Sequence, residues 1–212
     1  MDYQNARELL WDLPCTLQNI QEMIDSVSLF SQYGPSRFCE YGIFLSEMIR
    51  KAAKDGETLT FDTHNLNVVH SPLLYQESKL GFYPDWEALN KFEHKNLLIS
   101  NFASNLGKSI NLAIKGNLGH SFACYNYGAY ITLEGELSTG GCWGIRGGVI
   151  SIKGIAGHEF ARYGKAGIIH VDGEIRSFAG LNYEPLNYQI YLNQKLLPKD
   201  LDSLRKVVAM TS

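Results

Sequence analysis

The chain has 212 residues, of which 45% are hydrophobic and 19% charged, with a formal net charge of −3. That length can bury a full core as one domain or two tightly joined ones. No run of about 18 apolar residues appears, and MDYQNARELL lacks the order of a secretory leader, so a membrane span is not expected and a cytoplasmic setting is. The slight negative charge and the lack of a Lys/Arg cluster argue against a nucleic acid held by its phosphates.

Residues 1–56 read as an α-helical hairpin. Leu17, Ile20, Ile24 and Val27 fall on one helical face, and Phe38, Tyr41, Leu45, Met48 and Ala52 form a second stripe that ends at Gly56. Tyr33-Gly34-Pro35-Ser36 supplies the turn between them. The hairpin is expected either to cap the open edge of a following β-structure or to serve as an interaction module.

Residues 57–109 read as irregular early coils or a connection. Leu59-Thr60-Phe61 and Leu66-Asn67-Val68 alternate like strands, 85–94 suggests a short helix after Pro84, and Leu97-Leu98-Ile99 resumes strand character. Asn105-Leu106-Gly107-Lys108-Ser109 ends like a phosphate-binding loop, but Phe102 stands where G-x-x-x-x-G-K-S needs its first glycine, so the motif fails.

Residues 110–184 carry a repeat. Gly116, Gly135, Gly154 and Gly173 follow one another at 19-residue spacing, each preceded by an apolar pair: Leu112 and Ile114, Ile131 and Leu133, Ile150 and Ile152, Ile169 and Val171. Such a period with a strand in each unit means stacked coils about 4.8 Å apart. In that register an outward column reads Lys115, Glu134, Lys153, Asp172, alternating in sign as neighbouring strands favour. Sixteen of the 20 glycines lie between Gly107 and Gly180, and no proline occurs between Pro84 and Pro185, which suits a chain that turns sharply several times per coil. Gly128, Gly147 and Ala166, each followed by a small residue, read as one corner column. Phe122 and Phe160 alternate with Gly141, and Tyr125 and Tyr163 with Gly144, large over small. Residues 185–212 read as an extension, with Leu201, Leu204, Val207 and Val208 on a short closing helix.

The residues offer little for catalysis. Cys15, Cys39, Cys124 and Cys142 show no metal or redox spacing and read as buried thiols. His120 and His158 share a column with Thr139 between them, placing their Cα atoms about 9.6 Å apart, too far for one metal without reaching side chains. His170 falls on an outward column. Arg146 and Arg162, with Tyr125, Tyr163 and Trp143, would decorate one long side, and an Arg and aromatic surface is what interfaces use as anchors. The candidate ligand or partner contacts are therefore His120, His158, Arg146, Arg162, Tyr125, Tyr163 and Trp143. No metal and no cofactor is expected.

The units GNLGHSF…YGAYITLEG, GG…GIRGGVISIKG and IAGHEFARYGKAGIIHVDG resemble the GXGXG repeat, found in the C-terminal domain of the glutamate synthase large subunit and in one of the subunits of formylmethanofuran dehydrogenase. The likeness spans roughly a third of the chain and rests on Gly148 to Gly154 and Gly167 to Gly173. It implies a mainly β protein, a right-handed single-stranded β-helix of about 19 residues per coil, here with an α-helical N-terminal region. It also implies a non-catalytic role, bracing other domains or subunits. The expected function is a scaffold or subunit of a larger assembly, meeting a protein partner or a second copy of itself. The alternatives are an enzyme acting on carbohydrate or acyl groups in a side groove, and a binder of small anionic ligands through Arg146 and Arg162.

Overall fold

The computed structural model describes residues 3–10, 12–27, 35–63, 75–78, 81–84, 87, 88, 91, 98–178, 188–200, 203 and 206. It is a parallel β-solenoid of about four turns, near 19 residues each, with helices at its N-terminal end. The helices are α1 (Tyr3–Leu9), α2 (Leu17–Asp25) and α3 (Pro35–Ala52). The strands are β1 (Thr58–Asp62), β2 (Tyr75–Ser78), β3 (Gly81–Pro84), β4 (Asn111–Lys115), β5 (Tyr127–Glu134), β6 (Arg146–Ala156), β7 (Ala166–Ile175), β8 (Gln189–Leu192) and β9 (Lys195–Leu196). One sheet runs β1-β4-β5-β6-β7-β8-β9, every pairing parallel except the last, while β2 and β3 form a separate hairpin.

The apolar pairs are the reason for the stack. Leu59, Leu112, Ile131, Ile150, Ile169 and Ile190 lie over one another, as do Phe61, Ile114, Leu133, Ile152, Val171 and Leu192, and all twelve are buried. Each such side chain contributes about 1.5–3 kcal/mol by leaving water. The repeat glycines mark where coils approach most closely. A Cβ on Gly135 would stand 2.1 Å from the carbonyl oxygen of Gly116, one on Gly154 2.2 Å from that of Gly135, and one on Gly173 2.0 Å from that of Gly154. No side chain fits in that column.

The outward charge column holds its register and gains a member, reading Asp62, Lys115, Glu134, Lys153, Asp172. Lys153 Nζ lies 2.9 Å from Glu134 Oε1. That hydrogen bond and the opposite charge hold the Glu134 carboxyl below its usual range and Lys153 above.

The stack extends past residues 110–184 on both sides. β1 pairs with β4 across a long insertion, and β8 adds a further rung after β7. At the corners the 19-residue spacing slips by one. Tyr127 pairs with Gly147 and Arg146 with Ala166, so Gly128, Gly147 and Ala166 do not form the expected column; Gly128 instead sits against Lys108.

The described residues of the N-terminal region include three helices where two were expected, and Pro35 and Ser36 open α3 instead of standing in the turn. Thr16 caps α2, its hydroxyl accepting the Asn19 N–H at 3.1 Å. Glu47 on α3, almost fully buried, is gripped by Arg7 and Arg50, while Lys51 Nζ donates to the Leu10 and Leu13 carbonyls at 2.5 and 2.6 Å, fastening α1 to α3. Both longer helices pack on the first coil. A Cβ on Gly42 would stand 1.7 Å from the Ser100 carbonyl oxygen, and Ser46 Oγ accepts the Ser104 N–H at 3.2 Å. Ile20, Ile24, Leu45 and Ile49 join Leu59, Phe61 and Phe102 in one continuous core.

Side-chain amides stand in for a neighbouring strand at two places, one of them the outer rung β1. Gln21 Nε2 donates to the Asp62 carbonyl at 2.7 Å while its Oε1 accepts the Asp62 N–H at 3.0 Å, reproducing what a neighbouring strand's peptide would offer. Asn193, in the turn between β8 and β9, does the same for Gly173 on β7 at 3.1 and 2.9 Å. Leu59-Thr60-Phe61 is strand as expected, and Glu87, Ala88 and Lys91 are helical. Leu98 and Ile99 are buried outside any strand. The expectations for Leu66-Asn67-Val68, the Tyr33-Gly34 turn, Leu97, Leu201, Leu204, Val207 and Val208 fall outside the described residues.

Candidate functional site: an arginine and tyrosine face

Opposite the charge column, each coil crosses its corner in an unusual conformation. Ser121, Ala123 and Tyr125 have φ of 58°, 52° and 57°; Glu159, Ala161 and Tyr163 have 54°, 57° and 59°; Gly140, Cys142 and Gly144 have 68°, 60° and 63°. Left-handed residues thus alternate along the segment, and the first coil repeats the pattern at Asn101, Ala103 and Asn105. Each non-glycine residue there costs about 1–2 kcal/mol. Hydrogen bonds to both neighbours offset the cost. Ser121 N–H donates to Thr139 O at 3.1 Å, Ala123 N–H to Phe102 O at 3.0 Å and Tyr125 N–H to Trp143 O at 2.8 Å, alternately to the coil after and the coil before. Buried Asn126 ties the corner to β5, its Oδ1 accepting the Ala129 N–H at 3.2 Å and its Nδ2 donating to Gly147 O at 3.2 Å.

This backbone presents side chains outward in a compact set. Tyr125 and Tyr163 are 48% and 62% exposed, while Tyr127 and Tyr130, 44% and 58% exposed, follow on strand β5, where Tyr130 shares the outward strand face of Glu134. Arg146 Cζ stands 5.6 Å from the Tyr125 ring centre, and Arg162 Cζ stands 4.5 Å from that of Tyr163 and 5.9 Å from that of Trp143. Such contacts contribute about 0.5–1 kcal/mol each at exposed sites and, more to the point, hold the guanidinium groups in place. Tyr125 folds over Gly144, where an added Cβ would lie 2.6 Å from its ring, and Trp143 covers Gly140.

Charge is unevenly spread along each coil. Segments 98–109, 117–130, 137–149 and 155–168 contain Lys108, Arg146, Arg162 and Lys165 but a single acid, Glu159. That acid is buried, with Oε2 lacking a hydrogen-bond partner and lying 3.5 Å from Arg162 Nη1. Burial raises its pKa and Arg162 opposes the rise. The face is therefore cationic and aromatic. No family model, curated protein or solved structure matches this chain. What the face can do follows from its own chemistry.

The predicted residues divide into two groups. Arg146, Arg162, Tyr125, Tyr163 and Trp143 meet on this one side. His120 and His158 do not join them: His120 is buried, with its carbonyl accepting the Asn101 N–H, and His158 pairs with Thr139 and places Nδ1 3.1 Å from Ser177 Oγ. Burial and Arg176 lower the His158 pKa. Among the described residues no group of three or more His, Cys, Asp or Glu could hold a metal ion. Cys124 and Cys142 are buried, and burial pushes the Cys124 thiol up to about 12. His170 stacks on Tyr191 with ring centres 4.9 Å apart. Sequence reasoning missed Tyr127, Tyr130, Lys108 and Glu159. The absence of acids from the corner segments is the signal that would have found them.

Proposed function

We propose that this protein is a non-catalytic interaction protein that holds an acidic segment of a protein partner on its arginine and tyrosine face. The observation that carries this reading is the uneven spread of charge: exposed Tyr125 and Tyr163, with Arg146 and Arg162 held against their rings, meet on corner segments whose only acid, Glu159, is buried. Tyrosine and arginine are the residue types that concentrate binding energy at interfaces, because they bring large rigid area and planar donors at small entropic cost. A complementary acidic partner gains both contact and steering. The resemblance of the 148–154 and 167–173 units to the GXGXG repeat extends the reading to a scaffold that braces an enzyme of the glutamate synthase type.

The test is recovery of the tagged protein from its own cells, with light scattering and mass spectrometry, followed by binding measurements on the recovered partner. Arg146→Glu and Tyr163→Ala are each expected to weaken binding by about 10- to 100-fold, with thermal melting nearly unchanged because both side chains are exposed. A monomer recovered without companion, or a partner indifferent to both substitutions, rejects the proposal.

A further inference from the structure

Where the C-terminal end of α3 meets the corner at 107–110, an open cleft of about 280 Å³ is lined by Arg50, Lys54, Asp55, Lys108, Ser109 and Tyr127. The charges around it do not cancel. Glu47 is shared between Arg7 and Arg50, which leaves one positive charge over. Asp55 offsets Lys54, and Lys108 has no counterpart. Two positive charges therefore remain in excess. The side chains of Lys54, Lys108 and Ser109 make no hydrogen bond or ion pair among the described residues, so their donors are available. The negative end of the α3 dipole opposes an anion, but two full charges outweigh half of one.

We propose that this cleft binds the phosphomonoester group of a small ligand. Above pH 7 such a group carries close to two negative charges and offers three acceptor oxygens, matching the excess charge and the lysine and hydroxyl donors. Tyr127, whose ring also covers Gly107, and the neighbouring Ala53 and Ile110 give an apolar wall for the rest of the ligand. The Gly107-Lys108-Ser109 motif thus has a use without being a nucleotide-binding loop: Ser109, at φ 70°, leads into strand β4 and not into a helix. The cleft shares Lys108 and Tyr127 with the segments described above, but neither Arg146 nor Tyr163 lines it, so substitutions at those two separate this inference from the interaction face.

Titration calorimetry with inorganic phosphate at low salt and pH 7.5 tests it, with acetate as the singly charged comparison. The expected result is saturable binding at one site, preferred over acetate and weakened about tenfold by Lys108→Ala and by Lys54→Ala, as loss of a charge-assisted donor requires. Arg146→Glu should leave it unchanged, and affinity should fall as inorganic phosphate becomes a monoanion below about pH 7. No saturable binding overturns the proposal. So does binding that both lysine variants retain, or acetate bound as tightly as phosphate. The two lysines come from different segments and are exposed at the surface, so at least one variant reports on the folded chain.

Discussion

Single residues at the corners carry a cost that their neighbours offset. Glu159 combines a left-handed backbone, burial and a carboxylate oxygen without a hydrogen bond. Because burial raises its folded pKa above the ordinary 4.5, the native state keeps this proton to higher pH than the unfolded chain does. Stability is then lost as pH rises from about 4.5 through the folded value. Glu159→Gln is expected to raise the melting temperature at pH 7, with the gain vanishing below about pH 4.5; an equal gain at both pH values would show that ionisation plays no part. The alternation of left-handed residues itself was not legible in the sequence. Ser121, Ala123, Ala161 and Tyr163 have no intrinsic preference for positive φ, and only Gly140 and Gly144, with Asn101 and Asn105 in the first coil, hint at it. The hydrogen bonds from adjacent coils select the conformation, and those are tertiary.

At the scale of elements, the decisive contact is α3 on the first coil. Gly42 lets the helix backbone approach the Ser100 carbonyl so closely that a methyl group has no room. Gly42→Ala should cost about 1–3 kcal/mol or more, as overpacking against backbone does. Amide exchange should quicken at 98–106, where Ser46 meets Ser104, and remain slow in β5 to β7. Uniform quickening throughout the chain would mean that helices and coils unfold as one unit. The helical stripe of Tyr41, Leu45 and Met48 was readable because its period is local. Of the first coil, Leu59-Thr60-Phe61 was readable as a strand, but its place in the stack was not. Phe61 and Ile114 are stacked neighbours, but the long insertion between them hides the period from any fixed-spacing comparison.

For the whole molecule, the 19-residue period was legible because the two apolar columns and the glycine column recur without interruption, and each has a physical cause in burial or close approach. The grouping of Arg146, Arg162, Trp143, Tyr125 and Tyr163 followed from the same register. The cleft beside α3 did not, since it joins residues far apart in the chain. The ends of the stack have a further consequence. A pile of equivalent rungs contains no instruction to stop, and here the instruction is delivered at one end by Gln21, which occupies the donor and acceptor of Asp62 that another rung would use, and at the other by β9, which turns back antiparallel on β8. Size is thus set at the termini and not by the repeat. Gln21→Ala combined with truncation before Lys195, which removes β9, should permit end-to-end growth into fibres as concentration rises, gaining a rung about every 4.8 Å, and strictly monomeric sedimentation of that variant at high concentration would place the length control elsewhere.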